Sequence, residues 1–222
     1  MADTMTNFAA EREAMVERQI ASRGISEPTI LEAFRAVPRE EFLSKDYADL
    51  AYGDHPLPIE AGQTISQPYI VALMIQAAEM KAGDNVLEVG AGSGYAAAVM
   101  SRIAGQVTAI ERHPDLVMVA QERMQRLGFD NVRIVEGDGT RGWEAEGPYD
   151  AILAAASGSH VPPAWVKQLA DGGRIVMPVG EPNWVQKLIK VTKGPAGKLI
   201  TEDLGGVRFV PLIGEEGWKN AH

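Results

Sequence analysis

The residues with chemical reach fall in four short stretches. Glu88 precedes three alternate glycines, Gly90, Gly92 and Gly94, in the run Val86-Leu87-Glu88-Val89-Gly90-Ala91-Gly92-Ser93-Gly94-Tyr95. Without Cβ atoms such a turn brings backbone close to a ligand, and a helix starting at Tyr95 favours an acceptor or a negative group there. Glu111, followed by Arg112, ends a strand-like run 21 residues after Gly90, where a carboxylate can accept from both hydroxyls of a ribose. Asp138-Gly139 follows a third such run, and Thr64-Ile65-Ser66-Gln67 sets two hydroxyls just before Pro68 and an apolar helix. The first three stretches describe a pocket for an adenosine-bearing ligand. Each has a plainer reading: Thr64 and Ser66 as helix caps, Glu111 as a solvated acid, Asp138 as the acceptor of an Asx turn.

The elements that must hold these residues alternate strand and helix. Gln106–Glu111, Val132–Val135 and Tyr149–Ala155 read as strands after the one ending at Val89, with helices from Tyr95 to about Ala104 and from Pro114 through Gln125, stopped at Gly128. Pro163–Leu169 reads as a helix and Arg174–Gly180 as a further strand. Trp184–Val191 and Gly206–Leu212 are expected to form a hairpin-like pair linked through Lys193–Gly197, with a mobile tail after Gly214. Ahead of this core, helical patterns span Phe8–Ser22, ended by Gly24, and continue from a Ser26 cap and Pro28 to Val37, with one short turn at Pro38–Leu43. Tyr52–Gly62, with Pro56 and Pro58, reads as extended, and Tyr69–Met80 as a helix. The fold expected is α/β, a doubly wound, mostly parallel Rossmann-like sheet. Residues 1–80 would form an N-terminal helical cap and active-site segment, and 81–222 the core, all in one domain.

Composition narrows the function classes. A chain of 222 residues that is 45% hydrophobic and 23% charged is that of a globular protein. Its net charge of −9 argues against a broad nucleic-acid or anionic-membrane surface. The absence of cysteine excludes disulfides, thiolate nucleophiles and cysteine-bound zinc. No metal is expected. Met1–Ala10 lacks the basic start and apolar core of a signal peptide, so a cytoplasmic enzyme is the expectation, acting as a monomer.

The spacing E-x-G-x-G-x-G differs from the dinucleotide fingerprint, whose third glycine would fall at Tyr95. It resembles the first motif of class I S-adenosylmethionine-dependent methyltransferases. Gly62-Gln63-Thr64-Ile65-Ser66-Gln67-Pro68-Tyr69, the preceding Leu57-Pro58-Ile59, the Gly137-Asp138-Gly139 run and Val207-Arg208-Phe209-Val210-Pro211 resemble the protein-L-isoaspartate O-methyltransferases, a likeness running from about Met15 to Leu212. The resemblance implies methyl transfer from S-adenosyl-L-methionine to the free carboxylate of L-isoaspartyl residues, with D-aspartyl residues as a further candidate, starting repair through a succinimide and leaving S-adenosyl-L-homocysteine. It implies Ser66 as the catalytic residue and a substrate wall of Thr64, Ile65, Ile59, Val207, Phe209 and Val210. Its cofactor set is Glu88, Gly90, Ala91, Gly92, Gly94, Tyr95, Glu111, Arg112, Asp138, Gly139 and Gln67. Relatives carry a proline-bearing turn where this chain has Ala156-Ser157-Gly158-Ser159-His160-Val161-Pro162-Pro163. His160 is not assigned a role, because methylating an ionised carboxylate needs no base. Two other readings stand beside this one: a methyltransferase of the same fold with another substrate, and a non-catalytic S-adenosylmethionine or NAD binder.

Overall fold

The computed structural model describes residues 7–219. The chain enters through α1 (Phe8–Met15), capped by the Asn7 side chain, and continues through a π-helical turn and a 3-10 turn to Arg23. Gly24, at φ +94°, ends it in the left-handed region that glycine tolerates. In α2 (Pro28–Ala36) the cap is Glu27, not Ser26, and its side chain bonds no backbone N–H of the helix; Pro28 in the first turn fixes the helix start instead. Strands β1 (Leu57–Pro58) and β2 (Thr64–Ile65) pair antiparallel and fold the extended segment back on itself. Gln67 then caps α3 (Pro68–Ala77).

The core follows as β3 (Asn85–Val89), α4 (Tyr95–Ser101), β4 (Gln106–Glu111), α5 (Pro114–Leu127), β5 (Val132–Glu136), β6 (Tyr149–Ala154), α6 (Pro163–Gln168), β7 (Leu169–Val179), β8 (Gln186–Lys193) and β9 (Leu199–Val207). The sheet order is β5-β4-β3-β6-β7-β8-β9. Strands β3 to β7 pair in parallel and β7-β8-β9 antiparallel. The chain runs outward from β3 to β5 and then crosses to β6 on β3's other side. The carboxyl ends of β3 and β6 therefore flank the topological switch point, where open α/β sheets take ligands.

Alternate strand residues feed two cores. Val86, Ala151 and Leu153 join the N-terminal helices and α3–α5 on one face, while Leu87, Ile152 and Ala154 pack with Trp165 of α6 on the other. Burial on both faces is why these strands read as continuous apolar runs.

Two expectations about the C-terminal part are corrected. The last strand ends at Val207 rather than beginning at Gly206, because the hairpin turns at Gly194–Lys198 and its return arm pairs at once, Lys193 with Leu199. The segment after Gly214 is packed, at least to Lys219. Trp218 donates from its indole N–H to the Ser157 carbonyl at 2.9 Å, and the Glu215 N–H donates to Asp138 at 2.7 Å.

Candidate functional site

Two adjoining cavities open at the carboxyl end of the sheet. The smaller, about 210 Å³, is bordered by Gly90, Gly92, Glu111, Arg112 and Gly139. The larger cleft, about 720 Å³, is bordered by Ser66, Gln67, Trp184, Val207, Phe209 and Val210. Thr64, Ala155, Val210 and Pro211 line both, so they form the wall between them. A donor in one cavity and an acceptor in the other would meet at that wall.

In the smaller cavity the glycine turn departs from a simple cradle of N–H donors. The N–H groups of Gly90 and Ala91 both donate to the Ile110 carbonyl, at 2.9 and 3.0 Å, and that of Gly94 to the Ala91 carbonyl. The Gly92 N–H donates to Glu111 Oε2 at 2.9 Å. The turn thus presents a Cβ-free surface rather than a nest of free donors, which suits a ligand without a pyrophosphate. Glu111 is 5% exposed, and its other oxygen accepts from the N–H groups of Arg112 and His113 at 2.8 and 3.0 Å. Three backbone donors fix this carboxylate at the end of β4, on the cavity rim.

The three glycines do different work. At Gly92, which borders the smaller cavity, φ is +53° and an added Cβ would stand 3.4 Å from Ile59 Cδ1. At Gly94, φ is +87° and a Cβ would meet Met124 Cε at 2.8 Å, so this glycine serves the packing of α4 on α5. Gly139 lets the chain pass Val89, whose Cγ1 would lie 2.5 Å from a Cβ there.

The cleft side is built around Ser66, at the end of the segment folded by β1 and β2. Arg39, fully buried, donates from Nη2 to the Ser66 carbonyl at 2.9 Å and from Nε to the Ala51 carbonyl at 2.8 Å. Its guanidinium lies 4.7 Å from the centre of the Tyr95 ring. This anchor fixes the backbone of the serine, which borders the cleft. Sequence reasoning passed over Arg39, whose only sign was a charge beside Pro38 in a short turn.

Several expected site residues are placed elsewhere. Tyr95 is buried between Phe34 and Phe42 and borders neither cavity. Ile65 is buried in β2, opposite Leu57, and Ile59 packs towards Gly92; neither borders the cleft. Gln67 lies in the cleft rather than the smaller cavity. Gly94 and Ala91, though in the turn, do not border the smaller cavity. Asp138 takes the Asx-turn role: its Oδ1 accepts from the N–H and hydroxyl of Thr140 and its Oδ2 from the Glu215 N–H. Glu88 faces α3 and α4, away from both cavities, in a small cavity of its own. His160 is exposed and bonds only the adjacent Ser159 hydroxyl. Trp184 and Val185, on the cleft rim at 73% and 60% exposure, were missed, because two apolar residues beside a hairpin read as strand. Among the described residues no acidic or histidine cluster could hold a metal, and no helix is long and apolar enough to cross a membrane.

Comparison with known proteins agrees with this geometry. The family model described as protein-L-isoaspartate(D-aspartate) O-methyltransferase matches residues 10–217. Protein-L-isoaspartate O-methyltransferase 1 of Rhodopseudomonas palustris strain HaA2 is 54% identical over 220 residues, covering 99% of this chain and 90% of that protein. A solved protein-L-isoaspartate O-methyltransferase superposes with a TM-score of 0.85 at 34% identity, over 93% of this chain and 67% of that one. A Plasmodium falciparum protein described as such a methyltransferase, in complex with S-adenosyl-L-homocysteine, superposes with a TM-score of 0.77 at 29% identity, over 91% and 98% of the two chains. With the cofactor-type turn, the serine segment and the two joined cavities all inside the matched region, this chain belongs to the protein-L-isoaspartate(D-aspartate) O-methyltransferase family.

Proposed function

We propose that this chain is an S-adenosylmethionine-dependent carboxyl methyltransferase acting on L-isoaspartyl residues of damaged peptides and proteins. The observation that carries the reading is the wall shared by the two cavities, with Ser66 beside it on the cleft side. The smaller cavity fits the cofactor, because it combines the fixed Glu111 carboxylate for the ribose with a border at Gly90 and Gly92 that carries no side chain. Glu111, Gly90, Gly92, Arg112 and Gly139 would hold it there. When bound, S-adenosylmethionine supplies a sulfonium methyl that an in-line carboxylate oxygen can take, so that a cation and an anion become a neutral thioether and a neutral ester.

The chain's own contribution follows from that loss of charge. Ser66 donates to the non-attacking oxygen of the substrate carboxylate and turns the other oxygen to the wall. Of the four wall residues only Thr64 carries a side-chain donor; Ala155, Val210 and Pro211 bring none, so apart from Thr64 the wall does not hold the attacking oxygen back by hydrogen bonds, and water is displaced. Val207, Phe209 and Val210, with Trp184 and Val185 of the same cleft, flank an extended peptide. Isoaspartate is separated from aspartate by where that flanking backbone can lie. The methyl ester then closes to a succinimide without the enzyme. The N-terminal cap and the α/β core act as one unit, since a single buried cluster joins α1–α3 to the sheet. A monomeric cytoplasmic enzyme, with no nucleic-acid or membrane partner, fits the cysteine-free, acidic chain.

The test is a methyl-transfer assay with labelled S-adenosylmethionine on two peptides that differ only in an aspartyl or isoaspartyl linkage. Base-labile label on the isoaspartyl peptide alone is expected. Label on neither, with cofactor still bound, refutes the substrate; no cofactor binding refutes the reading entirely.

A further inference from the structure

Glu88 stands in the central strand and is 3% exposed, yet its Oε2 has no hydrogen-bond partner. Leaving a buried oxygen unpaired is costly, so such an atom marks a missing ligand or water. It borders a small space of about 30 Å³ whose other walls include Met74, Met100 and Leu153. Ser66, Ala155 and Phe209 border both this space and the cleft, so the space lies directly behind the cleft floor. The smaller cavity, with Glu111 and the glycine turn, does not include Glu88.

We propose that this space holds a water molecule joining the Glu88 carboxyl to Ser66, which makes Glu88 a positioning residue for the methyl-accepting carboxylate. The volume is enough for a water, which needs about 10–15 Å³ of such space. Glu88 and Ser66 supply polar partners for it in otherwise mainly apolar surroundings. Burial, and then the charge of Glu111, hold the Glu88 carboxyl well above the usual carboxylate range, against a weaker opposite pull from the Ala97 N–H. A neutral carboxyl is a donor. Glu88 then donates to the water, the water to Ser66 Oγ, and Ser66 to the substrate anion. Every donor in that row points towards the carboxylate, and each bond polarises the next. No other described residue bonds the Ser66 hydroxyl; its backbone alone is tied, through Arg39.

The inference rests on the reading of Ser66 above, and one set of full-length variants separates the two. Ser66→Ala, Glu88→Leu, their combination and Glu88→Gln are measured for kcat and KM on an isoaspartyl peptide and for S-adenosylhomocysteine affinity by calorimetry. Glu88→Leu is expected to lower kcat about tenfold, the worth of one well-placed hydrogen bond, with homocysteine-ligand affinity unchanged. That loss should vanish when Ser66 is already alanine, and Glu88→Gln, which keeps a donor, should recover most of it. An equal loss with and without Ser66, or lost ligand affinity at unchanged kcat, overturns the inference. If Ser66→Ala slows transfer and Glu88→Leu does not, the inference falls while the reading of Ser66 stands; if Ser66→Ala is as fast as wild type, both fall. Should Glu88→Leu not fold, a high-resolution crystal structure of the wild-type enzyme decides, with ordered water between Glu88 and Ser66 expected and an empty space refuting it.

Discussion

Replacing Arg39 with methionine removes the anchor behind the serine while nearly preserving the volume it fills. Arg39 is fully buried, and its two bonded acceptors are the neutral carbonyls of Ala51 and Ser66. Burial pulls its pKa down, an effect countered by Tyr95 and then Tyr52, but an arginine stays charged at neutral pH. Two charge-assisted bonds contribute about 1.5–3 kcal/mol each. Against that gross loss of about 3–6 kcal/mol, no longer burying a cation returns a part of the same order, leaving a net destabilisation of about 2–3 kcal/mol. For a chain of this length that is a fall in melting temperature of about 4–12 °C, at about 2–4 °C per kcal/mol. Scanning calorimetry reads the stability. Steady-state kinetics on an isoaspartyl peptide should show kcat/KM falling beyond any loss of folded protein, because the Ser66 backbone has lost its tether. Affinity for S-adenosylhomocysteine should hold, since Arg39 does not border that cavity. A melting temperature within about 1 °C of wild type together with unchanged kcat/KM would refute the anchoring role.

The division of labour among the glycines predicts that Gly94→Ala destabilises the fold by about 1–2 kcal/mol, the cost of a left-handed residue, without changing S-adenosylhomocysteine affinity. Gly92→Val should instead weaken that affinity at least about tenfold, or ~1.4 kcal/mol; calorimetry showing equal affinities for the two variants would contradict the assignment. Burial alone would raise the Asp138 pKa, but the Thr140 and Glu215 bonds outweigh it and hold it below the ordinary 3.8. Its stabilising contribution is therefore complete above pH 3.8 and lost as pH falls through the lower folded value. Asp138→Asn should lower stability at neutral pH and flatten that acid limb, as read by denaturation at a series of pH values. Trp184→Ala should raise the peptide KM about three- to tenfold, as loss of an exposed aromatic contact does, while the melting temperature and cofactor affinity stay put.

The alternation of strands and helices was legible because each period-2 or period-3.6 run is bounded by a glycine or a proline with one structural meaning. Gly128 at φ +72° and Pro114 in the first turn of α5 are such cases. The placement of Ser66, Glu111 and Gly92 was legible for the same reason: strand ends and tight turns point one way. Side chains inside a motif were not. Glu88, Gly90, Ala91, Gly94 and Tyr95 share one run, yet Tyr95 and Glu88 face α3 and α4 or the N-terminal helices, and Gly94 faces α5. Which way a residue faces depends on what packs across from it, and spacing along one strand and turn carries no record of that. Arg39 escaped notice for a related reason, since its partners Ala51 and Ser66 are distant in the chain.

The departure at residues 157–161 shows how the cleft wall tolerates a changed sequence. Ser157 is fully buried, and its side chain contributes only a long 3.3 Å bond to the Val210 carbonyl. The holding is done by backbone. Its N–H donates to the Val210 carbonyl at 2.8 Å, and its carbonyl accepts from the Leu212 N–H at 2.8 Å, locking Pro211 alongside. Gly158 continues the lock, donating to the Pro178 carbonyl and accepting from the Gly180 N–H. Its own Cβ would crowd the His160 carbonyl at 3.0 Å. A small residue with a backbone N–H at 157 supplies these bonds, so the wall made by Val210 and Pro211 does not depend on a proline there. What it does require is a small residue at 157, where the site is buried, while a side chain at 158 would press on the His160 carbonyl. A bulky substitution at Ser157 would push the Val207–Pro211 segment outward and open the junction of the two cavities to water, the one place where charge is lost in the reaction.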